Sequence, residues 1–218
     1  GDHYYMWDAQ QQYWYGYEWT KKLAGNTGQP TLNDGSSSNY AQSNSDVSRW
    51  YHEGSGLPFN ATQSCATLPN ANELSWYCMY GDPRWDADEL WTTMGHLYKG
   101  GMWFKKKSVL QADHHYDTEK SADGSTDLRT TSKDYSNRSS SILPSVAAAG
   151  NYFYLPALGY YGPNVMQDLG STGDYWSSSA SPWSSNTAAY SRGFGYGSDY
   201  VGVGTGFRDG GKRGDWPD

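Results

Sequence analysis

Residues 174–208 read DYWSSSASPWSSNTAAYSRGFGYGSDYVGVGTGFR, and this stretch decides the fold class. Short runs of aromatic and β-branched residues are separated there by glycines and other small residues. Such runs are typical of short strands joined by turns. The stretch therefore predicts strands over Asp174–Ser178, Ala188–Phe194 and Tyr200–Val203, and a further short strand at Phe207–Arg208.

Two helices are predicted upstream of these strands. The first begins at Asn70, because Glu73 follows at the spacing of a capping box, and it ends at Gly81-Asp82-Pro83. The second spans Asp86–Tyr98, where acidic residues occupy the first turn and Gly100-Gly101 provides the end. Its apolar stripe consists of Leu90, Trp91, Met94, Leu97 and Tyr98.

The segments between these elements complete an α+β pattern. Met102–Leu110 resembles a strand, and Tyr152–Leu158 has the composition of a core segment. Residues 111–150 are polar, and we expect them to form a surface insertion within a single domain of residues 1–218. Near the N-terminus, residues 4–20 suit an early strand and turn, and residues 25–49 suit a long irregular connection.

The composition limits the classes of function. The chain has 218 residues with 11 Trp, 20 Tyr and 5 Phe, so it has the aromatic content of an ordered domain. Its net charge of -7 argues against nucleic-acid binding, and the run Lys105–Lys107 suits a solvated strand end. No run of about 18 apolar residues is present, so we expect no membrane span.

No catalytic or metal-binding motif stands out. Neighbouring His114 and His115 have no partner motif, and we expect neither a metal site nor a cofactor. No serine or cysteine is placed relative to a histidine at a diagnostic spacing. Cys65 and Cys78 suit either a disulfide or two buried thiols, and we favour the thiols.

The stretch from Ser177 to Gly211 also has an unusual alphabet. Lys, Glu, Gln and Met are absent from these 35 residues, and Trp183 is its only tryptophan. These five types make up about one residue in five of residues 1–176, so about seven would be expected here. The types present are those that codons ending in C encode, with Trp183 as the exception. Tyr, Ser, Gly and Asn are also the residues of antibody paratopes. Either a glycine- and serine-rich loop region or a diversified binding surface explains this alphabet.

Several strings in order along the chain resemble one family. They are Cys65–Glu73 (CATLPNANE), Gly100–Lys107 (GGMWFKKK), Tyr154–Tyr161 (YLPALGYY) and Gly173–Ser179 (GDYWSSS), followed by Ala189-Tyr190 and the series Arg208-x-x-Gly211-x-Arg213. Together they resemble the major paralogous (FISUMP-type) surface proteins of gut Bacteroidetes. They are equally similar to the variable proteins of diversity-generating retroelements, including those of gut phages.

The resemblance implies a C-type lectin-like fold close to that of formylglycine-generating enzymes, with two helices around small twisted antiparallel sheets and long loops. It implies that residues 174–213 form a variable region, in which template adenines are misread and Asn codons diversify. The positions expected to form the scaffold are Tyr175, Trp176, Ser177, Ser178, Phe194, Val201, Val203, Arg208, Gly211 and Arg213. The positions expected to contact a ligand are Trp183, Ser184, Asn186, Ser191, Arg192, Tyr196, Ser198, Asp199, Tyr200, Thr205, Phe207 and Asp209. Arg192 departs from the family pattern, which usually has an apolar residue there.

The expected function is therefore non-catalytic binding of a protein or cell-surface ligand, at a cell surface, as a secreted protein or on a phage particle. An undiversified structural or adhesin subunit is the alternative, and a formylglycine-generating-type enzyme is a remote one. Both cysteines lie far from the C-terminal core in which that enzyme type carries its catalytic cysteines. The calcium-site motifs of true C-type lectins occur only as the fragments Gly162-Pro163-Asn164 and Trp216-Pro217-Asp218. The oligomeric state is not evident from the sequence.

Overall fold

The computed structural model describes residues 68–93, 96–161, 166–180, 188–195 and 200–207, and the fold is mixed α+β. The helices are α1 (Ala71–Tyr80) and α2 (Lys107–Ala112), and a 3₁₀ turn lies at Ala149–Asn151. The strands are β1 (Arg84–Thr93), β2 (His96–Lys105), β3 (Tyr135–Arg138), β4 (Tyr152–Pro156), β5 (Tyr160–Tyr161), β6 (Met166–Gln167), β7 (Thr172–Ala180), β8 (Ala188–Gly195) and β9 (Tyr200–Phe207). They form an antiparallel sheet of order β1-β2-β4, another of order β3-β9-β8-β7, and the ribbon β5-β6.

Helix α1 confirms the first predicted helix and its capping box. The Glu73 N–H donates to the Asn70 side chain at 3.0 Å, and the Asn70 N–H donates to the Glu73 carboxylate at 2.7 Å. The two bonds satisfy N–H groups that a helix start leaves without partners. Leu74, Tyr77 and Cys78 are buried along one face, so α1 packs into the core through the predicted stripe.

The second predicted helix, Asp86–Tyr98, is wrong, because this segment forms the hairpin β1-β2. Trp91 is opposite Tyr98 in the register, and their rings stack with centroids 5.0 Å apart. Leu90 and Leu97 are 60% and 65% exposed, so the supposed apolar stripe does not form one buried face. His96 accordingly begins a strand rather than lying on a helix.

Asp86 explains why the sequence resembled a helix start. Its carboxylate accepts hydrogen bonds from the N–H groups of Asp88 and Glu89, both at 3.0 Å. These are the bonds of a helix cap, but here they form beside the register shift between Asp86 and Leu90. A local side-chain cap can therefore stabilise either a helix end or an irregular strand.

Gly100 and Gly101 lie inside β2 and allow close approach of neighbouring backbone, so they do not end a helix. Gly100 has a φ of 98°, and a Cβ there would lie 2.8 Å from the carbonyl oxygen of Gly170. At Gly101 a Cβ would collide with the Tyr154 side chain and the Leu155 carbonyl of β4. Glycine is therefore required where β2 passes these two segments.

The predicted strand Met102–Leu110 is confirmed only as far as Lys105, because α2 begins at Lys107. Leu110 of α2 is fully buried, as are Met102 and Phe104 of β2. The predicted core segment Tyr152–Leu158 contains β4 and is largely buried.

The four-stranded sheet contains the predicted C-terminal strands. Asp174–Ser178 lies within β7 and Ala188–Phe194 within β8. Tyr200–Val203 continues without interruption to Phe207, so the two predicted short strands are one strand, β9. The Gly202–Gly206 run, which superficially resembles a phosphate loop, lies within this strand.

The polar segment 111–150 takes part in this sheet and in the core. Its strand β3 pairs with β9, and its Leu128 is fully buried. Arg129, also buried, has ion pairs with Asp127 and Glu119 at 2.7 and 2.8 Å. The predictions for residues 4–20, for residues 25–49 and for Cys65 lie outside the described residues.

Candidate functional site

One face of the four-stranded sheet packs into the core. Val201 is opposite Phe194, and Val203 is opposite Tyr135 of β3. These four side chains and that of Tyr175 are buried in the main hydrophobic cluster. Because side chains alternate along a strand, Tyr200, Gly202 and Gly204 belong to the opposite face of β9.

That opposite face carries a strip of glycines, Gly193 in β8 and Gly202 and Gly204 in β9, which we call the glycine strip. Gly202 is opposite Gly193 in the register. The Tyr200 side chain extends along β9 over Gly202, because a Cβ on Gly202 would overlap the Tyr200 hydroxyl and its ring carbon Cζ. Tyr200 nevertheless remains 47% exposed, so part of its surface faces solvent.

Two carboxylates approach the glycine strip on either side of Tyr200. A Cβ on Gly204 would lie 3.1 Å from Asp134 Oδ1, and a Cβ on Gly193 would lie 3.4 Å from Asp174 Oδ1. Burial raises the pKa of the Tyr200 hydroxyl, and Cys78, Asp134 and Asp174 raise it further by electrostatic repulsion of the phenolate. Tyr200 therefore stays protonated and acts as a neutral aromatic group with a hydroxyl.

The serines at the start of the unusual alphabet have a structural role. Ser177 and Ser179 are buried, and the Ser179 hydroxyl accepts a hydrogen bond from the Ala71 N–H at 3.0 Å. The N–H of Ser178 donates to the carbonyl of Pro69 at 3.0 Å. These contacts fasten β7 to the beginning of α1, so this part of the segment joins two elements of the core.

The predicted scaffold positions that the structure describes are largely buried. Besides the residues of the core face, Trp176 and Ser177 are fully buried, and Ser178 is half-buried. Arg208, Gly211 and Arg213 lie outside the described residues. The assignment of all these positions to the scaffold of a variable region stays a prediction.

The predicted ligand contacts are placed only in part. Tyr200 is at the exposed start of β9, and Ser191 is opposite Gly204 in the register. Arg192 is opposite Tyr175 on one side and Val203 on the other, so its backbone position belongs to the row of the core face. The backbone positions of Thr205 and Phe207 lie in the second half of β9. The remaining predicted contacts, Trp183, Ser184, Asn186, Tyr196, Ser198, Asp199 and Asp209, lie outside the described residues.

Sequence reasoning missed the two carboxylates, the glycine strip and Ser179. In residues 200–204, glycines alternate with larger residues, and this alternation indicates a strand with little side-chain volume on one face. Asp134 and Asp174 gave no such signal, because they reach the strip from other strands or loops.

In the described part of the chain, no group of three or more His, Cys, Asp or Glu residues is arranged to hold a metal ion. His114 and His115 follow α2 in a turn, and the His115 ring stacks on Tyr80 with centroids 4.0 Å apart. Cys78 is a buried thiol that donates to the Val201 carbonyl at 3.5 Å.

Comparison of the chain with protein-family models, curated proteins and solved structures found no match. Among the described residues, no helix has the length and apolar character needed to cross a membrane. The candidate site therefore has to be interpreted from its own geometry and from the sequence of the segment that contains it.

Proposed function

We propose that this chain is a non-catalytic ligand-binding protein of the receptor or adhesin type, with a C-type lectin-like fold. Its residues 174–213 form a binding surface diversified by a retroelement and displayed at a cell surface, in secreted form or on a phage particle. One observation supports this best. Within a segment of paratope-like composition, Phe194, Val201 and Val203 are buried on the core face, whereas Tyr200 lies half-exposed over Gly202 on the opposite face.

This division has the energetics that a variable surface needs. Large destabilising effects of substitutions come from buried positions, and exposed substitutions usually change stability by less than about 0.5 kcal/mol. Phe194, Val201 and Val203 stabilise the sheet from its core face. Exposed positions of the opposite face, such as Tyr200, are then able to change without unfolding the domain, while the sheet holds them in place.

The coding DNA tests the diversification. We expect a near-repeat of the DNA that encodes residues 174–213, close to a reverse-transcriptase gene, with differences concentrated at template adenines. Sibling genes that vary uniformly along the whole chain would instead indicate the undiversified structural or adhesin subunit.

Binding assays test the surface itself. A ligand identified by screening the full chain against arrays of proteins and glycans should bind Tyr200→Ala and Tyr196→Ala at least about tenfold more weakly, because tyrosines dominate interface energetics. Ile142→Ala is the matched control, since Ile142 is 72% exposed and lies outside the segment. Unchanged affinity in both tyrosine variants would contradict the proposed surface.

The remote enzymatic alternative has its own assay. The full chain, incubated with a cysteine-containing peptide substrate of formylglycine-generating enzymes, should leave the cysteine unoxidised. Formation of the aldehyde, lost in Cys78→Ser or in a Cys65→Ser variant, would overturn the non-catalytic assignment.

A further inference from the structure

The side chain of Tyr200 lies over Gly202, where the absence of a Cβ leaves room for the ring. Its hydroxyl end occupies the space that any side chain at Gly202 would need, and nearly half of the residue stays exposed. An aromatic ring supported on one side by backbone and open on the other offers its π surface to a ligand. Such surfaces attract cations, and arginine most often, because its planar guanidinium stacks on the ring.

Two acidic side chains lie over the glycines next to Gly202. Gly193 lies across from Gly202 on the neighbouring strand, and Gly204 lies one side-chain repeat further along β9. Asp174 reaches over the first of these glycines and Asp134 over the second. Strands are separated by roughly 5 Å and alternate residues by roughly 7 Å, so each carboxylate is within the reach of a group stacked on Tyr200.

A basic residue pairs with the start of β9. Arg138 of β3 is opposite Tyr200 in the register and is exposed. Because the ring extends away from this pair toward Gly202, its hydroxyl end points toward the glycines that Asp134 and Asp174 approach. A ligand cation is therefore attracted to the hydroxyl end of the ring.

We propose that Tyr200, Asp134 and Asp174 form a seat for a guanidinium group, supplied by an arginine side chain of a protein ligand. The guanidinium stacks on the open side of Tyr200, and its N–H groups donate to the two carboxylates. The net charge of -7 adds a general attraction for basic partners. This inference rests on the proposed function, since it names the chemistry that the binding surface recognises.

The probe is the peptide acetyl-Gly-Arg-Gly-amide, with the citrulline peptide as its uncharged isostere. Titration of the full chain, followed by amide NMR, should shift Gly202, Gly193 and Gly204 with the arginine peptide alone. A lysine peptide should produce the same shifts at higher concentration, since its ammonium does not stack in a plane. Equal shifts from the arginine and citrulline peptides, or no shifts at these glycines, would overturn the proposal.

Charge variants sharpen the test. Asp134→Asn and Asp174→Asn should each lower the affinity for the arginine peptide by about two- to fivefold, which is the range of exposed ion pairs. Tyr200→Leu should lower this affinity by a similar factor. Arg138→Gln should raise the affinity for the arginine peptide. Asp88→Asn is the control, because it also removes one carboxylate and Asp88 lies exposed on β1. An equal loss in the Asp88 variant would show general charge attraction and refute a seat.

The two proposals fail separately. If the identified ligand needs Tyr200 but is insensitive to Asp134→Asn and Asp174→Asn, the binding surface stands and the guanidinium seat falls. If the arginine peptide shifts the amides of the glycine strip, but the identified ligand binds Tyr200→Ala and Tyr196→Ala with unchanged affinity, the guanidinium seat stands and the proposed function is refuted.

Discussion

Replacing Phe194 by alanine should destabilise the domain far more than the same change at Tyr200, although both are aromatic residues of the C-terminal sheet. Phe194 is 2% exposed and lies between Tyr175 and Phe104, with both ring centroids 6.0 Å from its own. Its ring also covers Gly173, where a Cβ would lie 2.7 Å from ring carbon Cε2. Because residue 173 is a glycine, it has no side chain that could fill the space that the truncation of Phe194 leaves.

The magnitude follows from burial and from this lack of compensation. Complete burial of a phenylalanine side chain contributes about 1.5–3 kcal/mol, and an unfilled cavity raises the total cost of truncation to about 3–5 kcal/mol. Tyr200 covers backbone and is about half exposed, so Tyr200→Ala should reduce the free energy of unfolding by no more than about 1 kcal/mol.

Urea unfolding of the full chain, followed by tryptophan fluorescence, measures the difference. With a slope of about 2–3 kcal/mol per molar urea, Phe194→Ala should lower the midpoint by at least about 1 M, and Tyr200→Ala by less than about 0.5 M. Phe194→Leu, which keeps most of the volume, should fall between wild type and Phe194→Ala. Similar midpoints for the two alanine variants would refute the contrast between the buried core face and the exposed Tyr200 of the opposite face.

Two further predictions concern contacts to α1 and to the buried arginine. Ser179→Ala removes the acceptor for the buried Ala71 N–H and should cost about 1–3 kcal/mol in urea unfolding, whereas Ser178→Ala should cost less than about 0.5 kcal/mol. Burial opposes ionisation of Asp127, but hydrogen bonds from Arg129 and Asn72 outweigh it and lower the pKa of Asp127. This carboxylate therefore contributes stability above about pH 4 that is lost as the pH falls through its folded-state pKa, so Asp127→Asn should lose less stability than wild type between about pH 5 and about pH 2. Equal acid sensitivity of the two proteins would contradict this.

Local signals in the sequence predicted the elements whose determinants are local. The capping box at Asn70 and Glu73 identified the start of α1, because both partners lie within one helical turn. The same kind of signal failed at Asp86, where a cap-like set of bonds supports an irregular strand. What decides between the outcomes is the pairing of Trp91 with Tyr98 and of β2 with β4, which local periodicity does not reveal.

The candidate site was predictable to a similar extent. Its aromatic residue, Tyr200, was recognised because the surrounding alphabet is unusual and the family resemblance implies a variable position there. Its carboxylates were not, since Asp134 precedes a strand whose pairing with β9 depends on the whole sheet. The place of Arg192 was not predictable either. Its backbone lies in the row of the core face because it pairs with Tyr175 and Val203, and the sequence alone does not reveal this register.

The dependence of Tyr200 on Gly202 has a consequence for how such a surface acquires specificity. The hydroxyl end of the ring occupies the place of a side chain at position 202, so any larger residue there must push the ring elsewhere. The displacement is inexpensive for stability, because the residue is about half exposed, but it moves the hydroxyl away from its position over Gly202. Substitutions at 200 and 202 should therefore be strongly non-additive for binding and nearly additive for stability. Specificity at this face then depends on pairs of neighbouring residues, and a glycine contributes to recognition by determining where an aromatic side chain lies.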